Sequence, residues 1–103
     1  MIFVIADIDL EAGKRAEFLT AFNELVPKVL AEEGCIEYGP TIDVETNIDA
    51  QSDRSDDRVT VVEKWESLDA LERHLMAPHM LEYRDQVGAI VKSVSLKVLE
   101  PAT

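Results

Sequence analysis

Arg58-Val59-Thr60-Val61-Val62-Glu63-Lys64-Trp65-Glu66-Ser67-Leu68-Asp69 changes periodicity part-way along its length. Val59, Val61, Glu63 and Trp65 share one side of a strand by the period of two. Ser67 is suited to cap a helix, and Asp69 complements the positive helix end in the first turn. Leu68, Leu71 and Leu75 then define an inward helical face. A strand therefore feeds directly into a helix, and the remaining elements are arranged around that junction.

Upstream, Ile2 to Ile8 is apolar at nearly every position and reads as a strand buried on both faces. From Ala12 to Glu33, Phe18, Phe22, Leu25, Val26, Val29 and Leu30 recur at helical spacing. Gly34 supplies the stop, and Pro27 predicts a kink between Asn23 and Pro27. Cys35 to Glu45 forms a second strand, with Ile36, Tyr38, Ile42 and Val44 on one face. The polar run from Thr46 to Asp57 has no periodicity and predicts an exposed, mobile loop.

Downstream, Ala77-Pro78 interrupts the helix that starts after Ser67, and Pro78 suits the first position of another. That second segment carries Met80, Leu81, Tyr83, Val87, Ile90 and Val91. Lys92 to Leu99 is the last strand, with Val94, Leu96 and Val98 on one face. The order β-α-β-β-α(α)-β predicts an α+β fold of the ferredoxin-like split β-α-β type, an antiparallel sheet with its helices on one face. Residues 1–103 read as one domain. Helices on one face leave the other bare, and a first strand apolar on both sides predicts a homodimer in which two sheets meet.

The chain has 10 Lys+Arg against 21 Asp+Glu, a formal charge of −11. That balance repels phosphate backbones and anionic lipid, and argues against nucleic-acid and membrane partners. Sixteen acids and six bases lie in residues 1–66, against five and four in the remainder. The apolar start is broken by Asp7 and Asp9 and has no basic flank, so neither a signal peptide nor a membrane span is expected. A single cysteine, Cys35, fits a cytoplasmic setting. No CxxC, HExxH, GxGxxG or GxxxxGK[ST] pattern occurs, so neither a common zinc site nor a phosphate-cradling loop is expected.

In or beside the nearly neutral C-terminal part, Trp65, His74, His79 and Tyr83 fall within a short span. His74 shares the inward face with Leu71 and reads either as a packed core residue or as a pocket base. His79 follows Pro78 in a first helical turn, where the positive helix end favours a neutral ring. It reads as a second candidate base or as an exposed shoulder residue. Glu63 shares a strand face with Trp65, and if that face meets the helices it needs a partner or a raised pKa. Trp65 is either core packing or a wall for an aromatic ring. The two histidines lack a third converging ligand, so no metal is assigned. Cys35 has no base beside it in sequence and reads as a small buried filler.

The block Val26-Pro27-Lys28-Val29-Leu30-Ala31-Glu32-Glu33-Gly34-Cys35, the block Glu63-Lys64-Trp65-Glu66-Ser67, and Leu71, His74, Pro78-His79-Met80 and Tyr83 together resemble the antibiotic biosynthesis monooxygenase family. The resemblance runs from the first strand to Pro101 and is strongest to bacterial quinol monooxygenases. It implies a dimeric α+β barrel with one pocket per subunit between sheet and helices. It also implies oxidation of a quinol or related polycyclic aromatic by O₂ with no cofactor: no metal, flavin or haem. Trp65 and His74 match pocket positions, with His79, Tyr83 and Tyr38 as neighbours. In that picture His74 or His79 is the base, Trp65 and Tyr83 position the ring, and Ile5 and Leu71 exclude water. The family's haem-degrading pattern has an Asn on the first strand and a late His. Here Ile5 and Ala6 occupy the strand and Arg84 lies near the late position, which argues against haem chemistry. The same pocket also suits a non-catalytic binding module for quinones or planar aromatics, and an isomerase of small lactones would share the fold and use a base.

Overall fold

The computed structural model describes all 103 residues. Its elements are β1 (Ile2–Leu10), α1 (Arg15–Leu30), β2 (Cys35–Thr41), β3 (Arg58–Trp65), α2 (Leu68–Leu75), α3 (Pro78–Val87) and β4 (Val91–Leu99). The strands form one sheet in the order β2-β3-β1-β4, with every neighbouring pair antiparallel. This is the ferredoxin-like α+β arrangement that the sequence order predicts. No helix is long and apolar enough to cross a membrane.

Register decides which side chains meet the helices. Ile8 pairs with Val59, Ala6 with Val61 and Val4 with Glu63, so these residues share one face of the sheet. All six are buried. They meet Phe18, Phe22, Leu25 and Val29 of α1, which are also buried. The strand-to-helix junction forms as predicted, with the Ser67 hydroxyl accepting from the Ala70 backbone N–H at 3.1 Å. Pro78 occupies the start of α3. Leu68, expected inside, is half exposed, and the buried face of α2 is made by Ala70, Leu71 and His74 instead.

β2 is shorter than its periodicity suggests. A register irregularity between Cys35 and Glu37 turns Ile36 outward and Tyr38 inward. Pro40 removes a donor, which an edge strand tolerates. The ladder ends at the Thr41–Thr60 pair although β3 continues to Arg58, and Asp43 meets Arg58 through an ion pair at 3.5 Å instead. Ile42 and Val44 are consequently exposed. The following loop is exposed as its composition predicts, yet its end is tied down. The Asp57 carbonyl accepts from Leu10 N at 2.8 Å, and its carboxylate from Gly13 N at 3.0 Å.

The uncovered sheet face is only partly apolar. Phe3, Ile5, Val62 and Leu99 lie on it, but Asp7 accepts from Thr60 at 2.8 Å and Asp9 pairs with Arg58 at 3.0 Å on the same side. Val94, Leu96 and Val98 pair with Ile8, Ala6 and Val4, so they stand on the helix side. They remain half exposed because β4 is an edge strand that the helices leave uncovered.

The α1–β2 turn is fixed closely against α2. Gly34 has φ +87°, and a Cβ there would lie 2.6 Å from Ala70 Cβ. Its carbonyl accepts from Glu66 N at 2.8 Å. Gly34→Ala should therefore lose about 2–4 kcal/mol, from left-handed backbone strain and a clash with a packed helix. Urea denaturation measures this, and a loss below about 0.5 kcal/mol would show that the turn relaxes freely.

Candidate functional site

Between the sheet and the α2–α3 pair lies a cavity of about 270 Å³, lined by 13 residues of which ten are hydrophobic. Its floor is Ala6, Ile8 and Val61, its back wall Phe22 and Tyr38, and its roof Leu75, Met80 and Tyr83. Val94 and Leu96 form the side toward the edge strand. The other polar lining groups are Glu63, His74 and Arg84. An apolar cleft with a few converging polar groups, near the lower end of the roughly 300–1,000 Å³ range of small-molecule sites, suits a small planar ligand. A hollow of similar volume between α1 and α3, lined by Glu17, Thr20, Glu24 and Gln86 among others, holds no aromatic ring and no histidine.

His74 is fully buried near the end of α2, with its ring 4.6 Å from that of Trp65 and 5.4 Å from that of Tyr38. Its Nδ1 lies 2.9 Å from Glu32 Oε2. A carboxylate oxygen accepts, so Nδ1 carries the hydrogen and Nε2 remains as the acceptor of a ring that forms part of the cavity wall. Burial lowers the His74 pKa, opposed by the hydrogen bond and charge of Glu32. The neutral ring is the form able to take a proton.

Glu32 was not singled out by sequence reasoning. It sits in the α1–β2 turn, where its N–H bonds Val29 O at 2.9 Å and its carbonyl accepts from Cys35 N at 3.2 Å. The same Oε2 lies 2.7 Å from His79 Nε2. His79 stands in the first turn of α3 and is partly exposed, while His74 lies on the other side of the Ala77-Pro78 break. That break lets two helices deliver their imidazoles to one oxygen. The available signal was the pair Glu32-Glu33 immediately before Gly34, in a turn that has to close against α2.

Glu63 is buried on the cavity wall, and its Oε1 accepts from Trp65 Nε1 at 2.9 Å. Burial pushes its pKa up to about 7, with the Trp65 bond acting the other way and the nearby Glu32 charge adding to the rise. Trp65 is fully buried behind this carboxylate, so it positions Glu63 and His74 and does not line the cavity. Tyr38 and Tyr83 do line it, and neither hydroxyl is left as a buried unsatisfied group. Burial raises the pKa of both phenols. At pH 7 they are hydrogen-bond donors.

The structure brings His74, Glu63, Tyr38 and Tyr83 to one cavity and leaves Trp65 and three other sequence-selected residues outside it. His79 lies behind Glu32. Leu71 packs into the core without facing the cavity. Ile5 stands on the opposite face of the sheet, because Ala6 and Val4 take the helix side in the pairing register. Arg84 is an addition: it lines the cavity and donates to Leu75 O at 2.9 Å. Cys35 is half-buried, and burial pushes its thiol up to about 11, which makes it a poor nucleophile.

The model of a family described as antibiotic biosynthesis monooxygenase matches residues 1–86. The chain belongs to that family. It is 38% identical, over 98% of its own length and 98% of the relative's, to the Escherichia coli K12 protein named "Probable quinol monooxygenase YgiN". Among solved structures it resembles Rv0793 from Mycobacterium tuberculosis, with a TM-score of 0.79, 26% identity, and coverage of 99% of this chain and 95% of that one. PA3566 from Pseudomonas aeruginosa shares the fold at a TM-score of 0.79 and 24% identity, covering 99% and 94% of the two chains.

The Glu63 environment gives this family member a pH-dependent stability. Its pKa is raised on folding from the ordinary 4.5 to about 7, so its favourable contribution is present below 4.5 and lost as pH rises through 7. Glu63→Gln keeps an oxygen for Trp65 without the charge. It should exceed wild type by about 2–3 kcal/mol at pH 8 and match it near pH 4.5. Denaturation at the two pH values tests this, and an equal difference at both would remove Glu63 as the cause.

Proposed function

We propose that this chain is a cofactor-independent monooxygenase or oxidase that acts on a quinol or related fused-ring aromatic with O₂. The observation that carries the reading is His74: a buried, neutral imidazole held by its Nδ1 hydrogen, with a free Nε2, in the wall of an apolar cavity. Membership of a monooxygenase family and the name of the Escherichia coli relative support the same class.

His74 Nε2 takes a phenolic proton from the bound quinol, and Glu32 stabilises the imidazolium that results. The quinolate is more electron-rich than the quinol, and the apolar cavity excludes water around it. It passes an electron to O₂, with the substrate supplying the electrons a cofactor would otherwise carry. In the oxidase outcome, quinol plus O₂ gives quinone plus H₂O₂. In the monooxygenase outcome, quinol plus O₂ gives a hydroxyquinone plus water, with one oxygen atom retained in the product. The Tyr38 and Tyr83 hydroxyls donate to ring oxygens, and Phe22 and Met80 pack on the ring faces. Residues 1–103 act as one catalytic domain in the cytoplasm. A homodimer forms through the Phe3, Ile5, Val62 and Leu99 patch on the bare sheet face.

O₂ uptake with 1,4-naphthohydroquinone, in the presence of a chelator and corrected for autoxidation, tests the reading. Wild type should consume O₂ above background, and His74→Ala should lose about 10²–10⁴-fold of that rate, the usual contribution of a general base. Unchanged uptake in His74→Ala would remove the base. Tight naphthoquinone binding with no uptake in wild type would mark a binding module.

A further inference from the structure

Oε2 of Glu32 is shared by two imidazoles of different exposure. His74 is 1% exposed and faces the cavity, whereas the His79 side chain is 22% exposed on the outer side of the α2–α3 joint. One carboxylate balances one positive ring. A second imidazolium on the same oxygen meets the repulsion of the first, across a partly desolvated site where charges are weakly screened. The charge of His79 accordingly acts to lower the His74 pKa, and that of Glu32 to raise it.

We propose that Glu32 is a positioning residue that couples the two histidines, so that a proton gained at His74 from the substrate is matched by one released from His79 to solvent. The proposal rests on His74 as the base, and gives His79 and Glu32 roles that touch no substrate. Atoms balance: the phenolic hydrogen ends on His74 Nε2, the hydrogens facing Glu32 stay on Nδ1 of His74 and Nε2 of His79, and the proton on His79 Nδ1 leaves to water. The cavity then takes up the substrate proton with no change in the net charge of the Glu32–His74–His79 cluster. After turnover, the proton on His74 Nε2 passes to the reduced oxygen as His79 regains one from solvent, and His74 returns to the neutral form.

Other groups face this cluster. Glu63, Arg84 and Tyr38 lie around His74 from β3, α3 and β2. Glu24 and Lys28 of α1 and Glu82 of α3 share a shallow hollow with His79. All of them remain in place in the variants below, so they contribute equally to each comparison.

The chain has two histidines, so an NMR titration of the ring signals resolves both. Coupling requires two substitutions to act in opposite directions on His74. Removal of the competing ring in His79→Gln should raise the His74 midpoint by about half a pH unit or more. Removal of the counter-charge in Glu32→Gln should lower it by a similar or larger amount. A purely structural role for either residue would not produce opposite signs. A His74 midpoint that stays fixed in His79→Gln, or moves the same way in both variants, would overturn the proposal. Should Glu32→Gln fail to fold, the partly exposed His79→Gln carries the test by itself. A parallel kcat/KM profile with 1,4-naphthohydroquinone should have an acid limb that follows the His74 midpoint in each variant. Midpoints that shift while the acid limb stays in place would leave the coupling standing and remove His74 as the base.

Discussion

A carboxylate partly withdrawn from water needs donors, and Glu32 finds two on separate helices. That requirement organises the functional end of the molecule. The turn that carries Glu32 closes against α2 because Gly34 has no side chain: a Cβ there would lie 2.6 Å from Ala70 Cβ. The α2–α3 break at Ala77-Pro78 then brings His74 and His79 to the same oxygen. Without the carboxylate, the buried His74 ring would lose the partner that fixes its tautomer and orientation. Behind it, the Trp65 ring packs on His74 while its N–H occupies Glu63. One set of contacts therefore sets the direction of a base and the character of the cavity wall together.

The electrostatic pattern follows from burial. Glu63 is raised and His74 lowered for the same physical reason, since each charged form is penalised where water is scarce. The effect is a cavity whose acid and base are both biased toward neutrality near pH 7. Such a cavity admits an uncharged aromatic without a large desolvation penalty, and develops charge only when a proton moves to a prepared acceptor.

Much of the fold was legible because local signals agreed with one another. Ser67, Pro78 and Gly34 each act where their chemistry predicts, and the strand order follows from a split pattern with few alternatives. Exact strand facing was less legible. Ile5 and Ala6 are both apolar, and only the pairing with Val62 and Val61 decides which one meets the helices. Ile36 was misplaced because an irregularity in the edge strand reverses the alternation. Val94 and Leu96 are an instructive case: their spacing marks a face correctly, but whether that face is covered depends on how far the helices reach.

The site was half legible. Trp65, His74, Glu63 and the two tyrosines stood out by residue type and face, and the fold gathers four of the five around the cavity, with Trp65 directly behind. Glu32 did not stand out, because acidic residues are common in this chain and its contacts span 42 and 47 residues of sequence. The central claim is that Glu32 fixes His74 with its hydrogen on Nδ1 and its lone pair on Nε2, in the cavity wall. Nitrogen-15 NMR of histidine-labelled protein at pH 8 tests it most directly. A protonated Nδ1 and an unprotonated Nε2 for His74, with that tautomer lost in Glu32→Gln, is the predicted result. A His74 ring protonated at Nε2, or one that interconverts freely between tautomers, would contradict it.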